Sequence, residues 1–389
     1  PAIKGYTPDQ AEIGSQTVSG DSSDLDFTVV YAKNAPTITT ESKTINETIH
    51  YVYKDGTTAH DDYVAKPVEF TREVSTDAVT GEKTYGSWSA DQSFAAVTSP
   101  VVSGSVANKA QTAAVTDLNS DSADVNEAVT YTKVGSLVPS SSDGNFPGAP
   151  TVVYPNDASD ATKVTPAGVP TVPGYTAHDP EGHVLTPGSS YQPSDPTKDT
   201  TITYTADKQE GSVSYVDDTT GKTLKTDSIS GTTGSKSSYS TSGNIADYKK
   251  QGYELVTDGY PADLTFDNDD TTAQNFTVHL KHQLTPVNPT DPQTPGAPIN
   301  PDEPDGPKWP ASTNYDKTVN ETVSYVDQNG HVVAKPHTDS VNFTRTVVVD
   351  NVTGEVITSG AGTTAWTATN GDTTFDAVVS PVVSGSVAN

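Results

Sequence analysis

The side chains able to do chemistry are few in kind. The chain holds 50 Asp and Glu, 22 Lys and Arg, 8 His and no Cys. Without cysteine there is no thiolate nucleophile, no zinc thiolate site and no disulfide. His279 and His282 stand three apart, and Phe276-Thr277-Val278-His279-Leu280 alternates apolar residues as a strand does. On a strand that spacing sends the two rings to opposite faces. This is poor geometry for a shared metal, so both read as surface or core histidines. Asp267-Asn268-Asp269-Asp270 could offer oxygens to calcium, through Asp267, Asp269 and Asp270. The stretch lacks the glycine and the distal glutamate of an EF-hand loop, and a solvated turn is the favoured reading. No Gly-x-Ser-x-Gly elbow, His-Glu-x-x-His pair or phosphate loop occurs. Carboxylate pairs suited to glycoside hydrolysis can be drawn anywhere among so many acids, so no pair counts. No catalytic residue is assigned, and no cofactor beyond the calcium candidates.

Aromatic usage points elsewhere. The chain has 18 Tyr against 8 Phe and 3 Trp. Tyrosine carries an apolar face and a polar rim, which suits sugar CH faces and hydroxyls. Trp88 and Trp366 could stack on sugars. They recur at equivalent places of a repeat, however, and so read as core anchors. Tyr31, Tyr131 and Tyr204 sit in strand-like runs and read as structural. No residue stands out as glycan-binding.

The elements that must position these groups are repeats. Ser-Pro-Val-Val-Ser-Gly-Ser-Val-Ala-Asn occurs at 99–108 and again at 380–389. Pro1 to Tyr6 and Pro170 to Tyr175 are weaker echoes. Three copies are followed, some way on, by a tyrosine-bearing run: Phe27 to Tyr31, Ala128 to Tyr131 and Thr201 to Tyr204. Residues 42–134 read as a whole β module. Asp55-Gly56 is its first hairpin turn, Val68 to Val74 a strand, Thr80-Gly81 a second turn, and Trp88 lies on a short strand. Residues 1–34 match its back half. Residues 314–389 match its front: Asn320-Glu321-Thr322 repeats Asn46-Glu47-Thr48, Phe343-Thr344-Arg345 repeats Phe70-Thr71-Arg72, and Thr353-Gly354-Glu355 repeats Thr80-Gly81-Glu82. The two end halves are complementary in sequence. Residues 135–148 read as a Ser/Gly/Pro link and 149–208 as a small β unit. Residues 209–283 read as a distinct module with one short helix within Ser242 to Gln251.

Residues 284–310 carry a proline at every third position, from Pro286 to Pro310. Polyproline II has three residues per turn, so all fall on one face, and a semi-rigid spacer of about 75 Å is expected.

Net charge is −28, which argues against nucleic-acid or anionic membrane partners, since both need clustered cations. No apolar run approaches the roughly 18 residues of a membrane span, so membrane insertion by this stretch is not expected. Methionine is absent, as in an internal or processed fragment whose targeting signals lie elsewhere.

Val213-Ser214-Tyr215-Val216-Asp217-Asp218, Gly221-Lys222, Tyr239, Gly252-Tyr253-Glu254-Leu255-Val256 and Val278-His279-Leu280-Lys281-His282 together resemble the mucin-binding (MucBP) module of surface adhesins from Gram-positive gut bacteria. The Lys43–Lys133 module and its partial copies resemble the companion module of Mub-type mucus-binding proteins of lactobacilli. The resemblance implies a mainly β chain, α+β in detail. It implies an elongated tandem array of ubiquitin-like β-grasp modules on the extracellular, cell-wall-attached surface of a Gram-positive bacterium. It implies adhesion to mucin glycoproteins, with immunoglobulins as a further partner of some members. A structural stalk that projects a distal binding domain is the rival reading.

Overall fold

The computed structural model describes all 389 residues, and nearly every element is a β-strand; there is one α-helix. The chain divides into two compact units. One comprises residues 1–142, 146–172 and 176–205, the other 143–145, 173–175 and 206–389.

In the first unit, Thr37–Ile45 pairs antiparallel with Val68–Thr76, which pairs in turn with Lys83–Tyr85. The chain leaves this sheet at Asn46, whose N–H donates to the Asp124 carboxylate at 2.8 Å. It then enters a four-stranded sheet ordered Thr58–Val64, Glu47–Tyr53, Val125–Lys133, Ser105–Ala107. The two central strands of that sheet run parallel, and the Asp55-Gly56 turn joins the outer hairpin. Each sheet covers its own core. Ile45, Val68, Phe70, Phe94 and Leu118 form one, and Ile49, Tyr51, Val129 and Tyr131 form the other. Trp88 lies in irregular chain rather than on a strand, packed half-buried against the first core. The expected link at 135–148 is also structured. Ser136–Ser140 is a strand, parallel to Thr200–Ala206, and buries Leu137 completely. Its serines and Pro139 disguise a strand that needs only one large apolar side chain to anchor it.

The repeated proline and tyrosine are two halves of one lock. The Tyr131 hydroxyl donates to the Pro100 carbonyl at 2.5 Å, Tyr204 to Pro170 at 2.5 Å and Tyr31 to Pro1 at 2.6 Å. Tyr131 and Tyr204 are buried and their hydroxyls need a partner, which the proline supplies; at Tyr31 the same bond forms in an exposed setting.

The second unit contains a sheet ordered Lys222–Thr232, Lys208–Asp217, Gln274–His282, Tyr253–Asp258. Its central pair is again parallel, with Gly211 opposite Gln274 and Asp217 opposite Leu280. The helix Ser242–Lys250 lies within the expected window and sets Ile245 into a core of Val213, Tyr215, Phe266, Val278 and Leu280. First and last strands side by side, parallel, with hairpin partners outside, is the β-grasp plan. It recurs at 47–133, 136–206 and 208–282.

The stretch 284–310 is not a free polyproline spacer. Leu284–Val287 pairs with Val347–Asp350, which pairs with Val356–Ile357. Pro286, lacking an N–H, is tolerated because its strand is an edge. Further on the chain folds back on itself. Ile299 N–H donates to Pro307, Trp309 N–H to Ala297 and Gly296 N–H to Trp309, all within 3.0 Å. Polyproline II makes no such internal bonds. The cause lies in the residues between the prolines: Ile299 and Trp309 pack onto Val287, Tyr315, Val347 and Val349. The last sheet of this unit is the hairpin Asp316–Val326 with Val332–Thr344, extended by Thr367–Ala368.

Candidate functional site

The most concentrated chemistry sits where the 208–282 sheet meets the sheet of Leu284–Val287. Gln274–His282 alternates, so His279 faces out and His282 faces in. His279 Nδ1 lies 2.8 Å from Asp218 on the surface. His282 is 7% exposed, and its ring is held between two equally buried carboxylates. Nε2 is 2.7 Å from Asp217 Oδ2 and Nδ1 is 2.6 Å from Asp350 Oδ2. Burial disfavours the imidazolium, but its bonds to Asp350 and Asp217 outweigh burial and hold its pKa above the ordinary histidine value. Burial likewise pushes Asp217 up, and His282, Thr220 and Thr219 together bring it below the usual carboxylate range.

Above this group opens a cleft of about 570 Å³, within the size range of small-ligand sites. Its wall on one side is the end of the helix, Lys249 and Lys250, with Gly252 and Tyr253 after it. On the other side stands the fold-back of Ile299, Asn300, Pro301 and Pro307. Gln283, Asn351 and Val352 close it below. Asn300 Nδ2 donates to the Lys250 carbonyl at 2.5 Å and ties the two walls together. The lining offers amides, ammonium groups and the Glu303 carboxylate beside flat proline faces, and no nucleophile with an attendant base.

The three aspartates proposed for calcium do not converge. Asp267 Oδ1 accepts from the Asp269 N–H, Asp269 Oδ1 from Thr271, and Asp270 Oδ1 from Gln209 Nε2. The first two cap their own turn, and the third is a long-range side-chain bond. Asp179, Glu181 and His183 bring ligand atoms together, but Asp179 closes the turn through the His183 N–H and ring. Trp88 and Trp366 are half-buried, each under a guanidinium: Arg72 lies 4.5 Å from one ring centroid and Arg345 4.3 Å from the other. One face of each ring is thereby occupied. Tyr239 belongs to a hydrogen-bonded cluster with Tyr215, Asp227 and Asn244, and burial, with its bonds to Tyr215 and Asp227, raises its pKa strongly. Asp217, Gly252 and Tyr253 stand out in the sequence only as motif residues, and Asp350 and the remaining cleft residues not as site candidates at all. The repeated Thr-Gly-Glu turn was the available signal, since an aspartate precedes it by three residues in both copies.

This architecture, one β-grasp plan repeated along the chain, defines a tandem-repeat β protein. Residues 1–35, 36–135 and 310–389 match the model of the Muc B2-like domain, and 209–282 match a mucin binding domain. The chain belongs to the Muc B2-like domain family, the repeat class of Mub-type mucus-binding proteins. It is 34% identical to the type 2 repeat of the mucus binding protein MUB from Lactobacillus reuteri, over 46% of this chain and 84% of that one, with a TM-score of 0.32. It is 39% identical to the MucBP domain of an adhesion protein from Pediococcus pentosaceus, over 23% and 98%, TM-score 0.21. A mucin-binding domain from Streptococcus pneumoniae is 30% identical over 25% and 97%, TM-score 0.24. No curated protein matches the chain. These families are adhesive and nothing in the chain points to catalysis. No helix is long and apolar enough to cross a membrane.

Proposed function

We propose that this chain is the repeat region of a surface adhesin, binding mucin glycans through many weak contacts. The observation that carries the reading is the cleft between Lys249–Tyr253 and Ile299–Pro307: saccharide-sized, lined by amides, ammonium groups, the Glu303 carboxylate and proline faces, and free of any catalytic constellation. Asn300, Gln251 and Gln283 would bond sugar hydroxyls, and Pro301 and Pro307 would meet sugar CH faces. One such site is weak. Linked sites exceed either affinity without new contacts when their spacing allows; this cleft lies at the mucin binding domain, which matches once at 209–282, so further contacts would come from the three Muc B2-like segments. Adhesion of this kind places the chain outside the cell, on a Gram-positive cell wall.

The test is binding of the whole chain to immobilised mucin, before and after enzymatic deglycosylation, with Asn300→Ala/Lys250→Glu alongside. The reading expects binding that falls with glycan removal and falls again in the double variant. Undiminished binding to deglycosylated mucin would point to a protein epitope, the mode an immunoglobulin receptor would share. No binding at all would make the stretch a stalk.

A further inference from the structure

Two joints between modules of this chain follow one plan and differ in the residue that carries the ion pair across it. In the first, Tyr6–Pro8 pairs antiparallel with Tyr31–Lys33, and Tyr6 stands opposite Lys33. In the second, Tyr253–Asp258 pairs with Gln274–His282, and Tyr253 stands opposite His282. A glycine with positive φ precedes each tyrosine, Gly5 at +83° and Gly252 at +98°. Each has a close neighbour in the following module. A Cβ on Gly5 would sit 2.4 Å from the Ala78 carbonyl oxygen, and one on Gly252 2.5 Å from that of Asn351. The carbonyls of Gly5 and Gly252 accept from Asn34 and Gln283, at 2.8 and 2.9 Å.

The following module presents the same turn at both joints: Asp77-Ala78-Val79-Thr80-Gly81-Glu82 and Asp350-Asn351-Val352-Thr353-Gly354-Glu355. One carboxylate oxygen closes the turn. Asp77 Oδ1 accepts from Val79 and Thr80, and Asp350 Oδ1 from Val352 and Thr353. The other oxygen reaches back into the preceding module, from Asp77 to Lys33 Nζ at 2.6 Å and from Asp350 to His282 Nδ1 at 2.6 Å. The first pair is partly exposed, 52% and 30% for its side chains, and the second is nearly closed off, 5% and 8%.

We propose that His282 is a proton-operated lock on the joint between residues 209–282 and the module that follows, while Lys33 fills the same place in a joint without a switch. The ring bonds two carboxylates at once, Asp217 from its own module and Asp350 from the next. Ionised carboxylates only accept, so both ring nitrogens must donate, and only the imidazolium does that. Neutral imidazole has one N–H. One buried carboxylate would then face a lone pair with its charge uncompensated, a costly state. The groups around the ring are Asp217 from Lys208–Asp217, Asp350 from Val347–Asp350 and Tyr253, edge-on at 5.3 Å, from Tyr253–Asp258, with Tyr248 of the helix beyond it. No cation stands among them to replace the lost proton. The direction follows from the raised pKa of His282. The lock is fully engaged below the ordinary histidine value and is lost as pH rises through the raised one; on the acid side it fails as Asp217 protonates. Gly252, Tyr253, Gln283, Asn351 and Val352 belong to the joint and also line the cleft, so opening the joint deforms the cleft whatever that cleft binds.

The test uses the full chain, which has no native cysteine. Spin labels on Ser228→Cys and Ser359→Cys, both at exposed positions, report the distance across the joint from about pH 5 to about pH 9, a range that brackets imidazole titration. A narrow distribution that broadens as the His282 ring resonances titrate is expected. His282→Gln should be broad throughout. His282→Lys should be narrow throughout, reproducing the Lys33 joint. Asp350→Asn keeps an oxygen for the turn, so it should broaden the distribution while leaving the amide spectrum of 209–282 folded. A wild-type distribution unchanged across the range, or one unchanged in both His282→Gln and Asp350→Asn, would overturn the proposal.

Discussion

Replacing Tyr131 with Phe removes one oxygen from a place where its loss can be weighed. The side chain is fully buried, and its hydroxyl donates to the Pro100 carbonyl at 2.5 Å. Burial pushes the phenol pKa up to about 12, so the neutral donor is the only form present. The ring stays and no cavity opens. What is lost is one hydrogen bond, and the half-buried carbonyl must find water instead. A net bond is worth about 0.5–1.5 kcal/mol, and an acceptor left dry costs about 1–3 kcal/mol; the partial access of Pro100 puts the sum at about 1–2.5 kcal/mol. Hydrogen exchange of the amides in Val125–Lys133 should therefore quicken roughly fivefold to seventyfold, since each 1.4 kcal/mol is about tenfold. Tyr204→Phe should do the same to Thr200–Ala206, because its bond to Pro170 is equally short. Tyr63, 40% exposed, supplies the control, and its Phe variant should stay within about 0.5 kcal/mol. If Tyr131→Phe exchanges like Tyr63→Phe, the proline–tyrosine repeat is not a lock and its recurrence needs another cause.

Glu47 is buried with one carboxylate oxygen lacking a partner, and burial, helped by Glu127, raises its pKa. The folded state therefore holds that proton more tightly, so stability falls as pH rises through the raised value. Glu47→Gln should stabilise residues 36–135 at neutral pH and flatten that dependence, read by urea titration at two pH values. Arg72→Ala removes a guanidinium lying over Trp88 and Tyr85 and bonded to Glu41; a loss of about 1–2 kcal/mol should come with a shift in tryptophan emission. Gly252→Ala places a methyl against the Asn351 backbone and should broaden the Ser228–Ser359 distance at every pH while 209–282 keeps its amide dispersion. A chelator should leave the melting of 209–282 unchanged, because Asp267, Asp269 and Asp270 already serve the backbone and Gln209.

Local patterns carried far into this fold. The alternation of Val278 and Leu280, the helix within Ser242 to Gln251 and the Asp-Gly hairpin at 55–56 are set by neighbours in sequence, and each is where its pattern puts it. The proline–tyrosine repeat was visible as a repeat, though the bond that joins its halves spans about thirty residues and no pattern shows it. Residues 284–310 misled for the opposite reason. Nine prolines dictate backbone angles, but Ile299 and Trp309 dictate burial, and burial decided the path. The site was legible only in pieces. His282 was seen beside His279, yet its partners stand 65 and 68 residues away, joined by folding alone.

The parallel pairing of first and last strands has a mechanical meaning. In residues 47–133 the chain enters at Glu47 and leaves at Lys133, the opposite ends of two strands whose register runs from Glu47–Val125 to Tyr53–Tyr131. Tension drawn through the chain pulls these strands past each other lengthwise. All the rungs between them are then strained together, whereas a hairpin pulled from its open end yields one rung at a time. The same holds for Lys208–Asp217 against Gln274–His282. A tether made of such modules resists being drawn out until a whole ladder gives way at once.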